Sequence, residues 1–177
     1  MKRALLGLVF ITLFSCKNEK SSEINSAASH KMTQEEIERE AKRVVDSVIA
    51  SANNSVYDDL VNEAKNQKDA PVEILKSTLV DLEYSNAKNI ALRYKNVSDK
   101  TILGIKFEWF GENVFGEPAD MGNILSDGQG QGFTDTPIKP GSTSSGTWNI
   151  YSEDAKTITA ARAIEVVFED GTKWKSK

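Results

Sequence analysis

Few residues in this chain have types and spacing that could do chemistry. Glu112, Glu117, Asp120 and Asp127 fall within one polar connection, residues 111–132. Such oxygen-rich connections can hold calcium, and two carboxylates across a cleft can act as the acid and base of a glycosidase. The D-x-D-x-D-G ligand order is absent, so the connection reads as a solvated loop with no metal site and no catalytic pair. Gly128-Gln129-Gly130-Gln131-Gly132 has the glycine density of a phosphate cradle. A cradle needs a strand before it, a helix after it and, in a P-loop, a Lys. Phe133-Thr134-Asp135 follows without helical period, which predicts a flexible loop. The chain has 1 His and 1 Cys. One of each cannot build a Cys/His zinc site or an intrachain disulfide. A Ser-His-Asp triad would have to use His30, which lies in a polar stretch. No enzyme activity and no cofactor are expected.

Aromatic residues offer a second kind of chemistry, stacking on sugar or peptide. Trp109 and Trp148 share strand parity with aliphatic neighbours, and Trp174 also lies in a strand, so all three are expected in a core. Phe110 has the opposite parity. With Phe115 and Phe133 it forms the candidate binding patch, beside a connection long enough to be functional.

Cys16 is placed for a different chemistry. Met1-Lys2-Arg3 is a short positive region, and Ala4 to Phe14 is an apolar run too short to span a bilayer. It ends at Leu13-Phe14-Ser15-Cys16, which resembles the lipobox of bacterial lipoproteins. The resemblance implies cleavage after residue 15, with residues 1–15 as signal peptide, and acylation of Cys16. Membrane lipid is then a partner, because two or more acyl chains anchor stably where one does not. The expected location is the cell envelope, at the outer membrane, since Lys17 is not the Asp associated with inner-membrane retention. The whole chain has a net charge of −4. Removing Lys2 and Arg3 makes it more acidic, which argues against nucleic acid as a partner. The Asn53-Asn54-Ser55 and Asn96-Val97-Ser98 sequons carry no weight in a bacterial lipoprotein.

Elements must position these residues. Residues 16–32 are polar and Ser-rich and read as a disordered, flexible tether. Thr33-Gln34-Glu35-Glu36 has the form of a capping box. Ile37, Ala41, Val44, Val45, Val48, Ile49 and Ala52 then recur at three- and four-residue spacing. Residues 33–67 are therefore helical, with Asn53-Asn54-Ser55 as a plausible break and a weaker stripe at Val56, Tyr57, Leu60, Val61 and Ala64. That stripe could pack on the following domain or on a second copy, making a homo-oligomer through residues 33–67. About two clean heptads is short for a coiled coil.

After Pro71 the period changes to 2. Val72, Ile74, Val80 and Leu82 share one parity, as do Leu103, Ile105, Phe107 and Trp109, and Ile164, Val166 and Phe168. Lys139-Pro140-Gly141-Ser142 suits a type II turn, and Asp170-Gly171 a two-residue hairpin turn. Residues 71–177 are thus expected to form a mainly β, antiparallel, immunoglobulin-like sandwich able to fold alone. Asn96, Ser98, Lys100 and Ile102, then Ile138 to Gly141, then Val166, Phe168, Asp170, Gly171 and Trp174 resemble the FxLYD-type family of small secreted bacterial β-sandwich domains. These motifs are turns and core aromatics, and the family implies no activity.

The expectation is a lipid-anchored, non-catalytic module that binds an envelope protein or glycan. The alternative is a structural, self-associating spacer using the helix. A hydrolase on loop carboxylates is a distant third. An apolar patch at Phe110, Phe115 and Phe133 would favour the first, and an exposed helical stripe the second.

Overall fold

The computed structural model describes residues 33–123 and 127–176. The signal peptide, the tether and Cys16 lie outside the described residues. The chain divides into two units between Glu40 and Ala41, inside the helical segment.

One helix, α1, runs over Gln34–Lys65. Its capping box forms: the Glu36 amide donates to Thr33 Oγ1 at 3.3 Å and the Thr33 amide to Glu36 Oε2 at 2.7 Å. Arg39 pairs with Glu35 one turn back, at 3.3 Å. Asn53-Asn54-Ser55 does not break the helix. Asn and Ser are weak helix formers, not breakers, and α1 passes through them.

Seven strands follow: β1 (Val72–Asp81), β2 (Lys88–Asn96), β3 (Ile102–Glu112), β4 (Gln129–Thr134), β5 (Thr143–Ser152), β6 (Thr157–Phe168) and β7 (Lys173–Lys175). They make two antiparallel sheets, ordered β1-β2-β5 and β4-β3-β6-β7. The sheets pack face to face as an immunoglobulin-like sandwich. Its core holds Ile90, Leu92 and Tyr94 from one sheet against Ile105, Phe107, Trp109 and Val166 from the other. Aromatic rings bridge the layers, with centroids 4.7 Å apart for Tyr94–Phe107 and 5.3 Å for Phe107–Trp148. Trp109 and Trp148 are 5.7 Å apart. The three tryptophans all pack in or against this core.

Parity holds only between bulges. A register shift between Ile102 and Gly104 turns Ile102 inward and leaves Leu103 exposed. Another, between Ile74 and Lys76, packs Leu79 on the core and leaves Val80 exposed. The turns follow their residues. Ser142 N donates to Lys139 O at 3.1 Å, with Gly141 at φ 72. The 168–172 hairpin has three residues in its connection rather than two. Phe168 N donates to Thr172 O and Gly171 N to Phe168 O, each at 3.0 Å, and Gly171 takes φ 80.

Candidate functional site

The outer face of the β4-β3-β6-β7 sheet carries Glu108 and Phe110 from β3, Ala160 and Arg162 from β6, and Gln129, Gln131 and Phe133 from β4. The last turns of α1 cover part of it. Tyr57, Val61 and Ala64 pack on Phe110, with Leu60 and Ala160 at the margin. Small Ala160 lets the helix approach the sheet. The Tyr57 and Phe110 rings meet edge to face at 6.1 Å. Tyr57 Oη donates to Gly111 O at 3.1 Å and lies 2.9 Å from Thr159 Oγ1. Burial raises the Tyr57 hydroxyl above its ordinary pKa.

Beside this contact lies a buried ionic group. Arg162 Nε donates to Glu108 Oε2 at 2.8 Å and its Nη1 to Glu63 Oε1 of α1 at 2.9 Å. Gln129 Nε2 also donates to Glu108 Oε1. Burial works against the Arg162 charge, but the hydrogen bonds to Glu63 and Glu108 outweigh it and raise its pKa. A cleft of about 480 Å³ opens next to it, lined in part by Gln67, Asp69, Val72, Ile74, Ala161 and Arg162. The guanidinium is matched by two carboxylates, so the group clamps helix to sheet and does not present a charge for a substrate. Sequence reasoning placed Tyr57 in the weaker helical stripe but did not single out Glu63, Glu108 or Arg162. The available signal was Glu108, an acid between Phe107 and Trp109 in a strand buried on both faces.

The candidate patch does not assemble. Phe110 is 0% exposed under α1, whereas Phe115 is 82% and Phe133 70% exposed. The parity argument holds, since Phe110 does point away from the sandwich core. That outer face is covered by helix rather than open. Phe133 pairs with Lys106 and Phe110 with Gln129, so Phe133 and Phe110 stand about 13 Å apart along the sheet at ~3.3 Å per residue. Phe115 lies in the turn beyond β3, where Asn113 Oδ1 accepts from the Phe115 amide at 2.8 Å.

Of the candidate carboxylates, Glu112 ends strand β3, and Glu117 and Asp120 serve turns. Glu117 accepts from Asn113 Nδ2 at 3.1 Å, and Asp120 Oδ1 from the Gly122 amide at 2.9 Å. Among the described residues no group of three or more His, Cys, Asp or Glu could hold a metal. The glycine run 128–132 is not a flexible loop, because Gln129–Thr134 is strand β4. Its glycines make room for rings. A Cβ on Gly128 would lie 2.5 Å from the Tyr57 ring, and one on Gly132 2.6 Å from Trp148. One on Gly130 would overlap Met121 O and the Trp109 indole. Asn96 is fully buried, and its Nδ2 donates to Lys100 O at 2.8 Å and Ile138 O at 2.9 Å. The Asn96-Val97-Ser98 sequon is therefore a turn anchor.

The described residues leave a second surface open. Ile37, Val44, Val45, Val48, Ile49 and Val56 of α1 are each 49–63% exposed. At about 100° per residue they share one stripe, roughly 150° round the helix from Tyr57, Val61 and Ala64. Among the described residues no helix is long and apolar enough to cross a membrane.

No family model matches the chain, and no curated protein does. Two solved structures align with it. One is a hypothetical protein from Peptoclostridium difficile 630, 11% identical, covering 62% of this chain and 88% of that one, with a TM-score of 0.46. The other is a target of the Northeast Structural Genomics Consortium, 14% identical, covering 58% and 76%, with a TM-score of 0.31.

Proposed function

We propose that this chain is a bacterial envelope lipoprotein, held at the outer membrane by acylated Cys16, that acts as a non-catalytic interaction module. Its sandwich is a domain of the FxLYD-type kind. The observation that carries the interaction role is the exposed apolar stripe of α1, with Val44, Val48 and Val56 each at least half exposed, which moves the contact from the Phe110, Phe115 and Phe133 patch to the helix of the alternative reading. Contiguous apolar surface of this size on a soluble body marks a place where something else sits. The end of α1 beyond the stripe is docked on the sheet through Tyr57 and through Glu63–Arg162.

Fractionation of cells expressing the full chain or its Cys16→Ala variant tests the anchoring. The wild type is expected in the membrane pellet and the variant in the soluble fraction. A variant that still pellets through high-salt washing would overturn anchoring through this residue.

A second reading places the contact at Phe115 and Phe133, whose exposure suits binding of an envelope protein or glycan at the strand ends. Binding to isolated envelopes that is lost in Phe115→Ser/Phe133→Ser and kept in Val48→Glu would favour it.

A further inference from the structure

We infer that the occupant of the α1 stripe is a second copy of this chain, paired helix to helix over residues 37–56. This deepens the interaction role proposed above and rests on the stripe being its contact surface.

The repeat on the helix is the first ground. Ile37 recurs as Val48, Ala41 as Ala52 and Val45 as Val56, each after 11 residues. An 11-residue repeat gives about 3.67 residues per turn, close to the 3.6 of a straight α-helix. The seam therefore keeps to one side of α1 for about 29 Å at ~1.5 Å rise per residue. It alternates large residues with Ala41 and Ala52, the relief that two helices need to interlock. Beyond Val56 the same side carries Asp59 and Asn62, so the seam ends where the helix turns Tyr57, Val61 and Ala64 to the sheet.

Area is the second ground. The six Val and Ile residues are each 49–63% exposed, which amounts to at most roughly 550 Å² per copy and about 1,100 Å² across a pair if the whole stripe is covered, near the ~1,000 Å² expected of a specific interface. Stability is the third. Residues 44–56 hold four Val, one Ile, two Asn and three Ser, all weak helix formers. A helix of that composition is marginal in water without packing on its apolar face.

Charge decides against a lipid surface. Residues 34–56 contain Glu35, Glu36, Glu38, Glu40 and Asp46 against Arg39, Lys42 and Arg43. A membrane-lying helix would carry a basic polar face, and this one is acidic.

Oxidative cross-linking of the full chain in membranes tests the pairing. Val48→Cys lies in the seam, and Ala50→Cys lies on the opposite side of the same helical turn. Wild type, which has Cys16, sets the background. Because a disulfide needs Cβ atoms within about 3.5–4.5 Å, Val48→Cys is expected to give at least about fivefold more dimer than Ala50→Cys. Adding Val44→Glu to Val48→Cys should return the yield to background. Equal yields at 48 and 50, a product not twice the chain's mass, or no effect of Val44→Glu would overturn the inference. The measurement is independent of anchoring. Cys16→Ala release with a persistent Val48→Cys dimer supports the pairing alone. A membrane-bound chain without that dimer overturns the pairing alone.

Discussion

Arg162 and Glu108 stand directly opposite each other on β6 and β3, with Nε 2.8 Å from Oε2 and both side chains buried. Glu63 of α1 meets the same guanidinium from the other side at 2.9 Å. One cation thus ties the helix and two strands together. Removing one member of a buried pair leaves the other charged and unmatched, whereas replacing both with apolar residues does not. Arg162→Met alone should therefore lower unfolding stability by about 3 kcal/mol, and Glu108→Leu/Arg162→Met should recover most of the loss. Urea unfolding of the wild type, Arg162→Met, Glu108→Leu and the double variant checks this, and additive losses would contradict it.

Phe110 belongs to the helix–sheet contact. Phe110→Ala should lower stability by about 3–5 kcal/mol, as large-to-small changes in packed sites do. Phe115→Ser, in an exposed turn, should stay within ±0.5 kcal/mol or so. A chain beginning at Pro71 uncovers Phe110 and removes Glu63, so it should bind an apolar dye and unfold at lower urea than the longer chain. An unfolding midpoint that matched the full chain's would support the expectation that residues 71–177 stand alone.

The β4 glycines are spacers for rings. Gly130→Ala places a methyl group against Met121 O and the Trp109 indole. The expected loss is about 1–3 kcal/mol with a changed tryptophan emission, because overpacking forces neighbours off their rotamers. Gly116→Ala, where nothing lies within 4 Å of the added methyl, loses stability only through its φ of 76. Unchanged emission in Gly130→Ala would contradict the packing role.

Lys100, in the β2–β3 connection, pairs at 2.7 Å with Asp170, in the β6–β7 turn. Lys100, with help from Thr172, holds the Asp170 carboxyl well below its usual range, and Asp170 raises Lys100 above its own. A depressed carboxyl contributes fully above its unfolded pKa of 3.8 and loses that contribution as pH falls. A raised amine contributes fully below 10.5 and loses it as pH rises. Lys100→Met/Asp170→Asn should therefore lower the melting temperature most between about pH 5 and 10 and converge on wild type at both ends. A constant difference across pH would remove the ionic explanation.

Local signals in the chain were accurate where the cause is local. Thr33 and Glu36 close their capping box, Gly141 takes the turn that Pro140 sets up, and Trp109 shares the buried side of Phe107. These depend on neighbours a few residues away. The two-residue turn at Asp170-Gly171 was short by one residue, and the parity of Leu103 and Val80 failed. Each depends on how a partner strand is registered.

What the sequence by itself determined was the change of period at Pro71, the helix, the antiparallel sandwich and the outward parity of Phe110. Hydrophobic periodicity and turn chemistry are written in consecutive residues, so they survive without a partner in view. Only the tertiary structure decided that Phe110 is covered, that Gly128, Gly130 and Gly132 make room for Tyr57, Trp109 and Trp148, and which side of α1 stays open. Those facts join residues on different elements, far apart in the chain in cases such as Tyr57 on Phe110 and Glu63 on Arg162. A helix with two apolar stripes does not say which one the sheet takes. The packing of Tyr57, Val61 and Ala64 on Phe110 decides it, with the Tyr57 hydroxyl on Gly111 O and Glu63 reaching the Arg162 guanidinium from the flank.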